Sequence, residues 1–182
     1  MIRAFVAVRI PPNVIEQLAE IQQQLKREFT DVSWTRPEAM HLTLHFFGNV
    51  STSCLSDLNE RLNATASAHP SFNLKLGSLG SFGQRVLWVG VESGANELTN
   101  LANAVRFSIR PFGSNDETRP FNAHATLGRF RERGRGVDTA LRRISPPTLS
   151  PWRVNDVELI RSELSPKGSR YTMLAAFPLA HR

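Results

Sequence analysis

The sequence HLTLHFFGNV, residues 41–50, and the sequence FNAHATLGRF, residues 121–130, contain the same pattern, His-x-Thr-Leu. A shift of 83 positions (124 minus 41) superimposes four residues of the first segment on four of the second: His41, Thr43, Leu44 and Phe47 on His124, Thr126, Leu127 and Phe130. Identical residues at one fixed separation indicate a duplicated structural unit. We therefore expect two similar halves related by a pseudo-twofold axis.

Both segments have the composition of β-strands, in which successive side chains alternate between the two faces. His41 and Thr43 then share one face, roughly 6–7 Å apart along the strand. The opposite face is expected to carry Leu42, Leu44 and Phe46. The second segment repeats the arrangement with His124 and Thr126, so two such strands facing each other would bring four polar side chains into one cleft.

Apolar periodicity and turn residues predict the other elements. We expect strands at residues 3–10, 72–79, 85–91, 154–164 and 170–179, and helices at 13–29, 96–112 and 137–144 and around Leu55, Leu58 and Leu62. A short segment at 32–34 is expected to lead through Pro37 into the first histidine segment. The expected helix caps are the pair Asn13 and Glu16 and the segment 51–53. Residues 72–79 and 85–91 should form one hairpin, and a second should turn at residues 165–168. Strands and helices mix without a parallel βαβ rhythm, which favours α+β with antiparallel sheets.

Composition predicts a single unit over residues 1–182, long enough to bury a core without disulfides. The 22 Lys and Arg residues against 16 Asp and Glu give a net charge of +6, which favours anionic partners. Cys54 is the sole cysteine of the sequence, so no intramolecular disulfide can form and a cytoplasmic location is expected. The apolar run 2–10 is interrupted by two arginines and is too short to span a membrane. We expect a monomer without membrane association.

Paired histidines and threonines suit displacement at a phosphodiester. In an in-line displacement one side of phosphorus needs a base for the entering water, and the other needs an acid for the departing oxygen. Two imidazoles supply both, because an ordinary histidine pKa of about 6.5 leaves both protonation states accessible near neutral pH. Threonine hydroxyls would donate hydrogen bonds to the non-bridging oxygens. This scheme needs neither a metal nor another cofactor.

These features resemble the 2H phosphoesterase superfamily, in particular the RNA 2′,3′-cyclic phosphodiesterases, which are also called 2′-5′ RNA ligases. The similarity extends over nearly the whole chain: RAFVAVRIP at 3–11, HLTLHFFGNV at 41–50, RVLWVGV at 85–91, FNAHATLGRF at 121–130 and ELSPKGSRY at 163–171. The resemblance implies a bilobal fold, with two antiparallel sheets, outer helices and a central cleft. It also implies an enzyme that hydrolyses RNA or oligonucleotide 2′,3′-cyclic phosphate ends to 2′-phosphomonoesters, with 2′-5′ ligation as the possible reverse reaction.

By motif position, the resemblance makes His41 the proton donor to the 3′ leaving oxygen and His124 the proton acceptor from water. The reverse assignment uses the same two rings. Thr43, Thr126 and Arg129 are then expected to bind phosphate or RNA. Ideal alternation would turn Arg129 away from His124, so its role requires a β-bulge or a strand end near Gly128.

Two further candidates for substrate contact are Phe47 and Tyr171, whose rings could stack on bases. His45 lies roughly 13 Å from His41 along a strand, too far for the two to share a metal ion. His45 is expected either to line the cleft or to be a partly exposed structural residue. A basic stretch is either a track for an RNA backbone or a solvated loop; it consists of Arg129, Arg131, Arg133 and Arg135, followed by Arg142 and Arg143.

Two other functions are compatible with the residues. One is a non-catalytic RNA-binding protein, for which the wild type would show no turnover. The other is a phosphodiesterase for a small cyclic phosphate such as ADP-ribose cyclic phosphate, which the arginine-rich stretch disfavours.

Overall fold

The computed structural model describes residues 1–112, 120–145, 147–165 and 168–181. Its strands are β1 (Ile2–Arg9), β2 (Val32–Trp34), β3 (His41–Val50), β4 (Phe72–Phe82), β5 (Val86–Ser93), β6 (His124–Phe130), β7 (Trp152–Val154), β8 (Asp156–Ser165) and β9 (Gly168–Pro178). Its helices are α1 (Pro12–Glu28), α2 (Leu55–Ser67), α3 (Ala95–Ile109) and α4 (Val137–Leu141). Turns of 3₁₀ helix lie at Pro37–Ala39, Thr52–Cys54 and Arg110–Phe112.

Within those ranges the strands form one antiparallel sheet in the order β7-β4-β5-β6-β3-β1-β8-β9, with β2 also paired to β6. The prediction of an α+β fold with antiparallel strands and outer helices is confirmed, and both predicted hairpins are present. The two predicted sheets are continuous, because β3 and β6 join them through the pair Leu42–Ala125. The three-residue strands β2 and β7 were not predicted, since segments that short carry no periodicity.

Strand β1 is buried on both faces from Ala4 to Val8, which explains the uninterrupted apolar sequence of these five residues. Ala4, Val6 and Val8 belong to the main core. Phe5 and Ala7 point to the other face, where they form a small second cluster with Ile160 and with Tyr171 packed against it. This second cluster lies on the face of the sheet that carries the His41 ring, since Phe5 stacks against that ring.

The duplicated unit is longer than the tetrapeptides that revealed it. The 83-residue shift carries β1 onto residues 85–92, close to β5, and carries Pro12 onto Ala95, the first residues of α1 and α3. The repeat is therefore a strand, a helix and a second strand, made of β1, α1 and β3 in the first unit and β5, α3 and β6 in the second.

Each unit contains a β-bulge at the same position. In the first unit the pairing steps from Ala7–Thr43 to Val6–His45, which makes Leu44 the extra residue. In the second unit it steps from Trp88–Thr126 to Leu87–Gly128, which makes Leu127 the extra residue. Leu44 and Leu127 are equivalent under the 83-residue shift (127 minus 44), so the irregularity was duplicated with the unit.

The carbonyl oxygen of each bulge accepts a hydrogen bond from a helix of the other unit. Gln22 on α1 donates through Nε2 to the Leu127 oxygen at 2.7 Å, and the Thr35 N–H donates to the same oxygen at 2.9 Å. Arg106 on α3 donates through Nε to the Leu44 oxygen at 3.3 Å. The two units are thus tied to each other at the bulges.

Both predicted side-chain caps are corrected by the structure. Helix α1 begins at Pro12 with Pro11 as its N-cap, so Asn13 already lies inside the first turn, and no side-chain cap hydrogen bond is formed in this described helix. Proline at the first helical position has no N–H to satisfy, which removes part of the need for a cap. Residues Thr52–Cys54 form a 3₁₀ turn instead, and α2 starts after it without a side-chain cap within the described residues.

Residues 166–167 of the predicted turn at 165–168 lie outside the described residues. Among the helices that are described, none is both long and apolar enough to cross a membrane.

Candidate active site

The register of β3 and β6 brings the two histidine motifs together. Leu42 pairs with Ala125, and both side chains are buried at 1% and 0% exposure. Extending this register by one residue in each direction sets His41 opposite Thr126 and Thr43 opposite His124. Because side chains alternate along a strand, all four lie on the face away from Leu42, and directly opposed Cβ atoms lie about 4.5–5.5 Å apart. We call this side of the sheet the histidine face.

The His41 ring lies between two aromatic rings. It stacks on Phe5 with centroids 4.6 Å apart, and the edge of Tyr171 approaches it at 5.3 Å. Burial among these rings lowers the pKa of His41 from 6.5 to about 4; a hydrogen bond with the Ala39 backbone opposes the shift, and the nearby His124 adds to it. The electrostatic coupling places the two imidazoles within range of each other.

The His124 ring has a fixed orientation. Its Nδ1 lies 2.7 Å from the Asn122 carbonyl oxygen, and a carbonyl only accepts, so Nδ1 carries the hydrogen and the neutral ring presents Nε2 as an acceptor. The ring also meets Phe82 edge-to-face at 4.8 Å. Burial lowers the pKa of His124, the Asn122 hydrogen bond opposes this, and the positive charge of Arg129 lowers it further. Asn122 and Ala39 each precede their histidine by two residues.

Cavities lie on both sides of the four polar groups. One of about 240 Å³ is bordered by Thr43 and His124, together with Phe46, Phe82, Arg106 and Phe121. A second of about 550 Å³ is bordered by His41 and Tyr171 and includes the ion pair of Arg9 with the buried Glu158, at 2.7 Å. Each histidine therefore borders a different cavity, His124 the smaller one and His41 the larger one.

Arg129 is exposed and follows the bulge at Leu127. The bulge shifts the alternation by one residue, so Leu127 and Gly128 are both buried and Arg129 turns toward the histidine face. The irregularity that the arginine requires is present, one residue before Gly128. Its effect on the pKa of His124 places its charge near that ring.

The matching bulge at Leu44 changes the predicted roles of the residues after it. His45 is buried at 2% exposure, packs edge-to-face on Phe47 at 5.0 Å and borders the smaller cavity together with Thr43 and His124, so it is not a partly exposed residue. Phe47 is 3% exposed, and its expected contact with substrate is wrong. Phe46 was expected in the core, yet it is 49% exposed and its ring lies 5.4 Å from Phe5 on the histidine face.

Tyr171, the second aromatic candidate, does lie beside the site, against both His41 and Phe5. Several residues around the histidines were not predicted: Phe5, Phe46, Phe82, Asn122 and Glu158. The sequence could have indicated the position of Phe46, because a bulge was expected near Gly128 and the repeat therefore implies a bulge near residue 45.

Among the described residues, no three His, Cys, Asp or Glu side chains form a group able to hold a metal ion.

Comparison with known proteins identifies the family of this fold and site. A profile of the 2′-5′ RNA ligase superfamily matches residues 10–166, and the chain belongs to that superfamily. It is 32% identical over 179 residues to an Archaeoglobus fulgidus protein named RNA 2′,3′-cyclic phosphodiesterase, covering 96% of this chain and 99% of that one. An Aquifex aeolicus protein of the same name is 29% identical and covers 98% of each chain.

Solved structures of known proteins are also similar to this chain. The chain is similar to E. coli LigT in its apo form, with a TM-score of 0.81, 28% identity and 98% coverage of both chains. Another similar structure is LigT complexed with 3′-AMP, with a TM-score of 0.79 and 27% identity. The predictions of the family and of an enzyme belonging to it are confirmed.

Proposed function

We propose that this enzyme hydrolyses 2′,3′-cyclic phosphate ends of RNA or oligonucleotides to 2′-phosphomonoesters. The observation that carries the proposal is the register around Leu42–Ala125, which aligns two histidines and two threonines on one face. Relatives that span the whole chain are named RNA 2′,3′-cyclic phosphodiesterase, which supports the same substrate class.

In the proposed reaction the oxygen of a water molecule forms a bond to phosphorus while the bond from phosphorus to O3′ breaks. His124 accepts the proton that the water loses through its free Nε2, and His41 donates a proton to the departing O3′. Hydroxyl groups of Thr43 and Thr126 donate to the non-bridging oxygens, and Arg129 offsets their charge. Proton exchange with solvent then resets both rings.

Substrate binding itself favours the protonated form of His41, the proposed acid. In the empty site His41 has a pKa of about 4 and is neutral near pH 7. An anionic phosphate beside the ring favours the protonated form and raises this pKa, since opposite charges within about 4–6 Å stabilise each other. Bound phosphate therefore favours the protonated ring that the proposed acid role requires.

Four finer statements belong to the same proposal. Microscopic reversibility makes 2′-5′ ligation the reverse reaction when RNA ends with a free 5′-hydroxyl are supplied. The chemistry uses no metal or other cofactor. Residues 1–182 act as one bilobal unit, and the enzyme works as a monomer in the cytoplasm.

The direct test is turnover of 2′,3′-cyclic AMP and of a cyclic-ended oligonucleotide in EDTA, with identification of the product isomer. His41→Ala and His124→Ala should each lower kcat/KM by at least about 10²-fold, the typical loss of a positioned acid or base. The matched control is His181→Ala, which removes an exposed histidine near the C-terminus and should leave activity unchanged.

The possible outcomes distinguish the proposed function from its two alternatives. A 3′-phosphate product, or an activity that needs added zinc or magnesium, would contradict the proposed chemistry. Binding of RNA without turnover in folded protein would favour the non-catalytic alternative. Much faster turnover of an ADP-ribose cyclic phosphate than of the oligonucleotide would favour the small-substrate alternative.

A further inference from the structure

A groove rich in arginine begins where β6 ends. It encloses about 650 Å³, and we call it the basic groove; its described lining residues are Gln84, Arg85, Arg131, Glu132, Arg133, Gly134 and Arg135. These residues carry four positive charges and one negative charge. The arginine-rich stretch of the sequence is therefore not spread over a convex surface, because alternate side chains of it meet Arg85 around one hollow.

Backbone hydrogen bonds hold this groove in shape. The Gly134 N–H donates to the Gln84 oxygen at 3.0 Å, and the Phe130 N–H donates to the Arg85 oxygen at 2.8 Å. The Arg131 N–H donates to the Asp31 oxygen at 3.2 Å. Residues 130–134 are thus fastened to the turn between β4 and β5 and to the chain before β2, which distinguishes the segment from a loosely solvated loop.

The charge of the groove is weakly compensated. Arg131 Nε lies 3.9 Å from Asp31 Oδ1, and these side chains are 76% and 54% exposed, so the pair is long and screened by solvent. A concave surface with a net charge of one sign focuses the field and concentrates counter-ions of the opposite sign. Guanidinium groups bind phosphate oxygens through paired N–H donors, so a phosphodiester backbone fits this surface.

The position of the groove relates it to the active site. His124 is the first residue of β6 and Arg131 follows its last residue, so the two lie roughly 20 Å apart along the strand. Arg129 lies between them on an exposed position. That distance exceeds the reach of one nucleotide and matches a short run of single-stranded RNA.

We propose that the basic groove binds the phosphate backbone of the RNA several nucleotides upstream of the terminal cyclic phosphate. This inference rests on the proposed function, and it adds a second binding region that a mononucleotide does not reach. The enzyme should therefore favour oligonucleotides over 2′,3′-cyclic AMP through a lower KM, with that advantage falling as salt rises.

The test compares two variants that lose equal charge. Arg131→Gln/Arg133→Gln/Arg135→Gln removes the groove charges, and Arg27→Gln/Arg61→Gln/Arg110→Gln removes three exposed arginines on or next to α1, α2 and α3. All six positions are exposed, so both proteins should fold. The substrates are 2′,3′-cyclic AMP and a cyclic-ended RNA of about ten nucleotides.

The groove variant should raise KM for the RNA about tenfold and reduce the slope of log KM against log salt by about 2, since each phosphate contact on a single strand contributes about 0.7. Its kcat/KM for 2′,3′-cyclic AMP should stay at the wild-type value. The control variant should leave the KM for RNA and its salt dependence close to those of the wild type. An equal rise of KM in both variants, or a wild-type KM for RNA in the groove variant, would overturn the inference.

Failure of the proposed function gives a different result, because neither substrate would then turn over in the wild type. In that case the groove is tested by fluorescence anisotropy with a labelled RNA ending in a 2′-phosphate. Weaker binding by the groove variant alone would uphold the groove as an RNA site. Equal binding by both variants would reject it.

Discussion

Phe5 covers one face of the His41 ring and Tyr171 meets it with an edge, whereas His124 contacts Phe82 and lies near Arg129. Burial is the largest cause of the lowered pKa at both rings, and a backbone hydrogen bond opposes it at both. The third influence on the pKa differs between the rings. For His41 it is the charge of His124, and for His124 it is the charge of Arg129. Burial therefore favours the neutral form of both rings.

The pH profile of the enzyme should reflect these shifts. The profile of kcat/KM reports the free enzyme, in which one ring must be protonated and the other neutral. Both pKa values lie below 6.5, so both limbs move to lower pH and the bell should be centred below pH 6.5. The profile of kcat should lie at higher pH, because bound phosphate raises the pKa of the rings. Steady-state kinetics between about pH 4 and about pH 9 measures both, and a kcat/KM maximum above pH 6.5 would contradict the prediction.

Phe46 and Phe47 are adjacent and should respond in opposite ways to truncation. Phe46→Ala should lower kcat/KM about tenfold, the typical value of a lost stacking contact, with little change in stability, because the ring is 49% exposed. Phe47→Ala should reduce the free energy of unfolding by about 3–5 kcal/mol, because it empties a core position. Urea unfolding and kinetics check both, with Phe107→Ala, 69% exposed, as the control that should change neither. A catalytic loss confined to Phe47→Ala would reverse the assignment.

Among the elements of the fold, the two bulges determine which side chains reach the histidine face. A bulge leaves one carbonyl outside the regular ladder, and such a group costs free energy when it is buried without a donor. At Leu127 the Thr35 N–H already supplies one donor, and the buried Gln22 supplies a second and also donates to the Thr35 oxygen at 2.7 Å. Arg106 supplies the donor at Leu44. These two helix residues therefore position Arg129 and Phe46 indirectly.

Replacement of Gln22 tests this arrangement. Gln22→Leu keeps a similar volume but removes two hydrogen bonds, so the free energy of unfolding should fall by about 1–3 kcal/mol. Activity should also fall at temperatures where the protein is folded, because the bulge positions Arg129. The matched control is Gln24→Leu on the exposed side of α1, which should change neither quantity. A stable Gln22→Leu protein with full activity would show that the bulge needs no donor from α1.

For the whole molecule, burial of a neutral histidine links stability to pH. The pKa of His41 is about 4 in the folded protein and near 6.5 when the chain is unfolded. Between these values the unfolded chain binds more protons, so stability should fall as pH is lowered from 6.5 to about 4 and should change little below that on account of this residue. Urea unfolding of the wild type and His41→Gln at several pH values checks this. The wild type should lose more stability than the variant across that window, and parallel losses would contradict the prediction.

The amino-acid sequence alone was sufficient to predict the order of strands and helices apart from the three-residue strands β2 and β7, the antiparallel α+β class and the paired His-x-Thr-Leu motifs. Local periodicity carries this information because the faces of a strand or helix are set by neighbouring residues. The sequence also indicated that an irregularity must lie next to Arg129, because ideal alternation would turn the Arg129 side chain away from His124.

The exact positions of the bulges, and the side chains that they bring to the histidine face, required the tertiary structure. A bulge depends on how many residues the partner strand contributes, and that partner is distant in sequence: β1 for β3 and β5 for β6. The exchange of Phe46 and Phe47 between core and site therefore had no signal in the neighbouring residues, and only the repeat, which equates residue 45 with Gly128, pointed to it. The same holds for the bridge Leu42–Ala125 that joins the halves, because it is one contact between strands about 80 residues apart in the chain.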